Sequence, residues 1–150
     1  LSMERSQPLM NAHFNLALLH EGRGEIEKAI DEYRKEQEIS PYNWRPDFNL
    51  GLLFSKRKQL DQAEKEFRNC LQKNEEYGPA YIFLAKVLMD KGKNLLEAEK
   101  LALKGLTLTA DLSSLILGHL VLVDIYHRLG QPAKANFHLQ QAQQLQKANN

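Results

Sequence analysis

Residues 25–41 read EIEKAIDEYRKEQEISP, and residues 59–75 read QLDQAEKEFRNCLQKNE. Few letters coincide, yet an aliphatic residue, an alanine and an aromatic residue recur at the same offsets: Ile26 and Leu60, Ala29 and Ala63, Tyr33 and Phe67. The displacement is 34 residues. The same displacement carries Phe14-Asn15-Leu16-Ala17-Leu18 onto Phe48-Asn49-Leu50-Gly51-Leu52, and a second one lands on Ile82-Phe83-Leu84-Ala85-Lys86. Helical amphipathicity alone gives a 3.6 period; it does not align two successive shifts. A repeat of this length means stacked supersecondary units.

Each unit holds two helical patterns. In the first, Leu9, His13, Leu16 and Leu19 are followed by Ile26, Ile30 and Tyr33 at spacings of three and four. Gly22 and Gly24 separate them as stop and turn. Pro46, Pro79 and Pro132 stand where later helices open, the one place where a missing N–H does no harm. β-Branched alternation is nearly absent, so strands are not expected. Ala17, Gly51 and Ala85 recur in the first helix of each unit, and Ala29, Ala63 and Ala98 in the second. Small residues at fixed places let two helices of a hairpin approach closely, and Tyr33 and Phe67 then fill the gap toward the next unit.

These features resemble the tetratricopeptide repeat family. The first unit shows Leu16-Ala17, Gly24, Ala29, Tyr33 and Pro41; the second Leu50-Gly51, Ala63, Phe67 and Cys70; the third Leu84-Ala85, Gly92, Ala98, Ala102 and Gly105. The fourth is looser, with Leu122, Tyr126, Gly130, Ala135 and Ala142. Ala63 to Ala98 is 35 residues and Ala98 to Ala135 is 37, so the fourth unit should have a longer first helix. The resemblance implies an all-α fold, a right-handed α-α superhelix (solenoid) of about four helix hairpins with no strands. The expected repeats are 10–43, 44–77, 78–111 and 112–147, within one domain over 8–148. Residues 1–7 are expected as a tag remnant or linker and 149–150 as a tail. The glutamine-rich last helix suits an array end, where no neighbour covers the outer face.

The 150 residues carry a formal net charge of +1 and 43% hydrophobic content. Neither disorder nor a nucleic-acid partner follows from that balance. No apolar run reaches 18 residues, so no membrane-spanning helix is expected. The lone Cys70 cannot form an internal disulfide. No phosphate loop, zinc-protease or nucleophile-elbow motif occurs, so no catalytic residue, cofactor or metal ligand is assigned. His13 and His20 lie seven apart and His119 and His127 eight apart, and both pairs are taken as packing or surface residues. Cys70 is taken as a small buried hydrophobe.

Binding is the better-supported expectation. The first helix of each pair lines the inner face of such an array. That stripe holds Asn11, Phe14, Asn15 and Leu18; then Arg45, Phe48, Asn49 and Leu52; then Ile82, Phe83 and Lys86; then Asp124 and Arg128. Leu16, Leu50 and Leu84 are assigned to the core, which leaves the apolar members of the stripe in excess and available to a partner. Asn15 and Asn49 offer one acceptor and two donors each, suited to holding a peptide backbone. They are similar to the asparagine ladder in the repeats of O-linked N-acetylglucosamine transferase, although Phe83 and Val121 occupy the next rungs. Repeats that clamp the acidic tail of heat-shock chaperones carry Lys and Arg in the groove. Here Phe14, Leu18, Asn49, Pro79 and Phe83 stand at those places, against an acidic ligand.

The expected function is therefore a non-catalytic scaffold that binds a peptide or short helix in a groove. In it, Lys86, Asp124 and Arg128 tune polar specificity. The start at Leu1 suggests a fragment, and the alternatives are an accessory segment of a larger hydrolase or transferase, or a self-association module. The expected partner is a protein or peptide, with no nucleic acid or membrane and with a homo-oligomer as an option. A cytoplasmic setting is the default.

Overall fold

The computed structural model describes residues 3–150, with side chains described from Asn11 onward. Eight helices follow one another: α1 (Met3–Gly22), α2 (Ile26–Ile39), α3 (Arg45–Lys56), α4 (Leu60–Lys73), α5 (Gly78–Lys91), α6 (Leu95–Leu108), α7 (Leu112–Arg128) and α8 (Pro132–Ala148). There is no strand among the described residues. Neighbours pair as four hairpins, α1–α2, α3–α4, α5–α6 and α7–α8. The linker expected over 1–7 lies partly outside the described residues; from Met3 onward the backbone is helical. The side chain of Leu9 also lies outside them.

The helix borders follow from local chemistry. Pro46, Pro79 and Pro132 occupy the first turns of α3, α5 and α8, where their fixed φ suits helix entry. Asp111 caps α7, its Oδ2 accepting from the Ser114 N–H at 3.0 Å and the Ser114 hydroxyl at 2.6 Å. The turn inside each hairpin needs one left-handed residue. Gly24, Gly92 and Gly130 supply it at φ near +70°, the second hairpin uses Lys58 at φ 61°, and the third turn has a second such residue, Asn94 at φ 54°. The helix that opens the fourth hairpin, α7, has 17 residues, more than the 12 of α3 and 14 of α5 but fewer than the 20 of α1.

The chain divides into two compact units, residues 1–73 and 74–150. In the first, α2 packs on both α1 and α3. Ala17, Ala29, Tyr33, Leu50, Ala63 and Phe67 are fully buried there. The small residue of α3 is mechanistic: a Cβ on Gly51 would fall 2.6 Å from the Phe67 ring. In the second unit, α7 packs on α5, α6 and α8. A Cβ on Gly105 would lie 2.6 Å from Ile82, and one on Gly118 3.1 Å from it. Two glycines on two helices thus make room for a single isoleucine.

One core assignment is corrected. Leu50 and Leu84 are buried, but Leu16 is 39% exposed and Leu19 49%. Their counterparts in the later first helices, Leu50 and Leu53, Leu84 and Val87, Leu122 and Ile125, are all buried. In the first unit α2 covers α3, and in the second α6 covers α7. Among the described residues no second helix plays that part for α1.

Candidate functional site

In the first unit the expected stripe separates into exposed and structural residues. Asn11, Asn15 and Leu18 on α1 are exposed. Phe14 is half-buried and meets the Tyr33 ring edge-on, with centroids 5.7 Å apart. Tyr33 is fully buried, and burial pushes its phenol up to about 12. Its oxygen accepts from Asn49 Nδ2 at 3.0 Å. Tyr33 therefore ties the first helix of one hairpin to that of the next. The two asparagines are not equivalent: Asn15 points to solvent, whereas one Asn49 donor is committed to the fold. Phe48 is buried with its ring against Phe67, centroids 5.7 Å apart, so it is a core residue and not groove lining. Leu52 is half-buried and Arg45 exposed, the latter's guanidinium 4.7 Å above the Trp44 ring.

In the second unit Ile82 is fully buried, seated against Gly105 and Gly118, and is likewise removed from the stripe. Phe83 is half-buried. Lys86 pairs with Asp90 one turn on, at 2.9 Å. Arg128 donates from Nη1 to the Met89 carbonyl at 2.8 Å, a second bond to a carbonyl near the end of α5 that already accepts from the Gly92 N–H. It is a helix-end clasp as well as a surface cation. Asp124 is exposed. The surviving surface members are thus Asn11, Asn15, Leu18 and Arg45 in the first unit and Asp124 and Arg128 in the second, with Phe14, Asn49, Leu52, Phe83 and Lys86 partly covered.

A buried polar network in the first unit escaped the sequence reading. The Gln37 amide donates from Nε2 to Asp47 Oδ1 at 2.5 Å and to Glu66 Oε2 at 3.0 Å. Arg34 donates to Gln37 Oε1 at 2.9 Å and to Glu66 Oε1 at 2.6 Å. Lys73 forms an ion pair with Asp47 Oδ2 at 2.7 Å. Asp47 and Glu66 are almost fully buried, and burial raises the Asp47 pKa against the opposing pull of Lys73 and Gln37. Two anions and two cations around one amide balance in charge, which is the condition for burying them at all. In the sequence these are ordinary charged helix residues, and spacing alone does not pair them.

Glu36 is the exception. It is fully buried, and among the described residues neither carboxylate oxygen has a hydrogen-bond partner. Burial raises its pKa, with His13 pulling the other way. Seven residues after the repeat alanine, the later hairpins carry Cys70, Gly105 and Ala142 at this place, all small and buried.

The histidines find partners that spacing did not suggest. His13 Nδ1 lies 2.5 Å from Glu32 Oε2, and His20 Nδ1 3.3 Å from Glu25 Oε1. His119 on α7 meets His138 on α8, Nδ1 to Nδ1, at 2.9 Å. Among the described residues no three His, Cys, Asp or Glu side chains converge as a metal site. Burial pushes the Cys70 thiol up to about 12, so it stays protonated and is a poor nucleophile. No described helix is long and apolar enough to cross a membrane.

Residues 11–43 match the family model described as tetratricopeptide repeat. No curated protein matches the chain by sequence. Solved structures resemble it in fold. MamA superposes with a TM-score of 0.81 at 16% identity, over 93% of this chain and 80% of that one. Pseudomonas aeruginosa pilF gives 0.82 at 20% identity, covering 95% and 63%. BtubC from P. vanneervenii gives 0.81 at 19% identity, covering 97% and 66%. This chain therefore spans less than two thirds of the latter two.

Proposed function

We propose that this tetratricopeptide-repeat chain is a non-catalytic scaffold that holds a peptide or short helix against the first helices of its hairpins. The observation that carries the reading is the exposed face of α1. Asn11 and Asn15 present amides, and Leu18 an apolar side chain, on adjacent turns of a helix already fixed to α2 through Phe14 and Tyr33. An amide beside an apolar contact holds a backbone and one side chain together, and a rigid helix carries little ordering cost on binding. On α3, Leu52 and the remaining hydrogen-bonding capacity of Asn49 extend the face. Protein binding is also the use that the matched family and the fold support most broadly; the peptide mode is the finer proposal.

The test uses the exposed positions. Phe48 and Asn49 hold the core and Tyr33, so their substitution confounds binding with folding. Asn15→Ala with Leu18→Ala should leave helicity and unfolding midpoint unchanged. It should weaken binding of peptides selected from a displayed library at least tenfold, read by calorimetry. Selected peptides that bind both proteins equally would remove α1 from the site.

Self-association is a second reading, favoured by the exposure of Leu16 and Leu19 where every later hairpin buries its counterparts. A second copy laid on this face would bury them. Sedimentation equilibrium should then show a mass that rises with concentration and falls to the monomer in Leu16→Glu. A monomer at all concentrations rules this reading out.

A further inference from the structure

The His119–His138 contact is unassigned by everything above. His138 is buried and His119 half-buried. The His138 ring stacks on Tyr126, centroids 5.6 Å apart and planes 22° apart, and takes the edge of Phe137 at 5.0 Å. The two imidazole centroids are 5.1 Å apart. Two such rings joined head-on by a bond of this length would have centroids about 5.2 Å apart. The rings therefore face each other across a direct hydrogen bond. One ring must carry its proton on Nδ1 and the other on Nε2, because two bare nitrogens or two N–H groups at 2.9 Å would repel.

We propose that this pair is an acid-sensitive latch: it holds α8 on α7 while one proton bridges the two rings, and α8 undocks as both rings become charged. Among the described residues no carboxylate pairs with either ring to offset that charge. Lys134 of α8 has its ammonium 5.4 Å from the centre of the Tyr126 ring, and Glu99 of α6 acts on the Tyr126 phenol, adding to the rise that burial gives its pKa. Lys86 and Asp90 of α5 pair with each other, and Arg128 of α7 is held by the Met89 carbonyl. The remaining exposed groups of α7 are Asp124 and His127. Burial and the facing ring lower the His119 pKa, and burial lowers that of His138. The sign follows. Folded values below the unfolded value of about 6.5 make docking strongest above that pH, and it weakens as pH falls through the lowered values. Undocking uncovers Ala135, His138 and Ala142, which are buried when α8 is seated. The hairpin thus gains apolar surface in acid that it lacks at neutral pH.

Native-state hydrogen exchange of the α8 amides, corrected for intrinsic rates, tests this between pH 7.5 and 5. Uptake of two protons makes the opening constant rise up to about a hundredfold per pH unit. In His119→Gln and in His138→Gln one proton is removed, and the rise drops to about tenfold. A wild-type slope no steeper than either variant overturns the latch. Nitrogen-15 spectra of the intact protein at pH 7.5 give an independent check that needs no variant. One Nδ1–H and one Nε2–H ring support the bridge; two Nε2–H rings refute it.

Discussion

Gly51 is the position where the packing argument is sharpest. Building a Cβ there places it 2.6, 2.7 and 2.8 Å from three atoms of the Phe67 ring. Carbon atoms in contact sit about 3.5–4.0 Å apart, so the ring would have to retreat by about 1 Å. It has nowhere to go: Phe67 is fully buried, with the Phe48 ring among its neighbours. Overpacking of this kind costs about 1–3 kcal/mol. Alanine in a helix interior gains about 1 kcal/mol over glycine, so Gly51→Ala alone is a difference of opposing effects. The coupling separates them. In a Phe67→Leu background the obstructing ring is gone and Gly51→Ala should stabilise, by about the propensity difference. Urea unfolding of the two single variants and the double variant should give a coupling energy of about 1–3 kcal/mol. Additivity within about 0.5 kcal/mol would refute the claim that Gly51 exists to admit Phe67.

Two further predictions concern single residues. Lys58 adopts the left-handed conformation that glycine supplies in the other three hairpins, at a cost of about 1–2 kcal/mol for an L-residue. Lys58→Gly should therefore raise stability by about 0.5–1 kcal/mol despite glycine's greater freedom when unfolded, seen as a higher urea midpoint with unchanged slope. Glu36 is buried, and burial raises its pKa, so the folded chain holds its charged form less readily than the unfolded chain does. The penalty is absent below the unfolded value near 4.3, builds as pH rises above it and is complete above the raised folded value. Glu36→Ala should gain about 1–3 kcal/mol at pH 8 and much less at pH 4; an equal change at both pH values would show that ionisation of Glu36 is not the cause.

The hairpin architecture was legible because its signal is redundant. Ala29, Ala63, Ala98 and Ala135 each mark a close approach, and Gly24, Gly92 and Gly130 each mark a turn, so one degenerate position does not hide the period. The candidate face was only partly legible. A 3.6-residue period places Phe14, Phe48 and Ile82 on comparable stripes, but it does not say how deeply the neighbouring helix covers each. Ile82 is engulfed because Gly105 and Gly118 let two other helices approach it, residues far away in the sequence. Leu16 went the other way: its place in the repeat suggested core, but α3 and α7 are covered by a preceding helix, α2 and α6, and among the described residues α1 has none. The polar contacts were the least legible. Asn49 to Tyr33, Arg128 to the Met89 carbonyl and His119 to His138 are tertiary pairs between residues that are individually ordinary.

The network around Gln37 also bears on how the chain can be divided. Its members come from three helices, α2, α3 and α4, and its last cation is Lys73, the final residue of the first compact unit. A cut after Lys73 leaves every charge with its counter-charge on the same fragment. A cut one turn earlier strands Asp47 in the interior with no cation to answer it. The first two hairpins are thus sealed as a single inheritable module, and a viable truncation, fusion or gene rearrangement at this place is constrained to a border that one lysine defines.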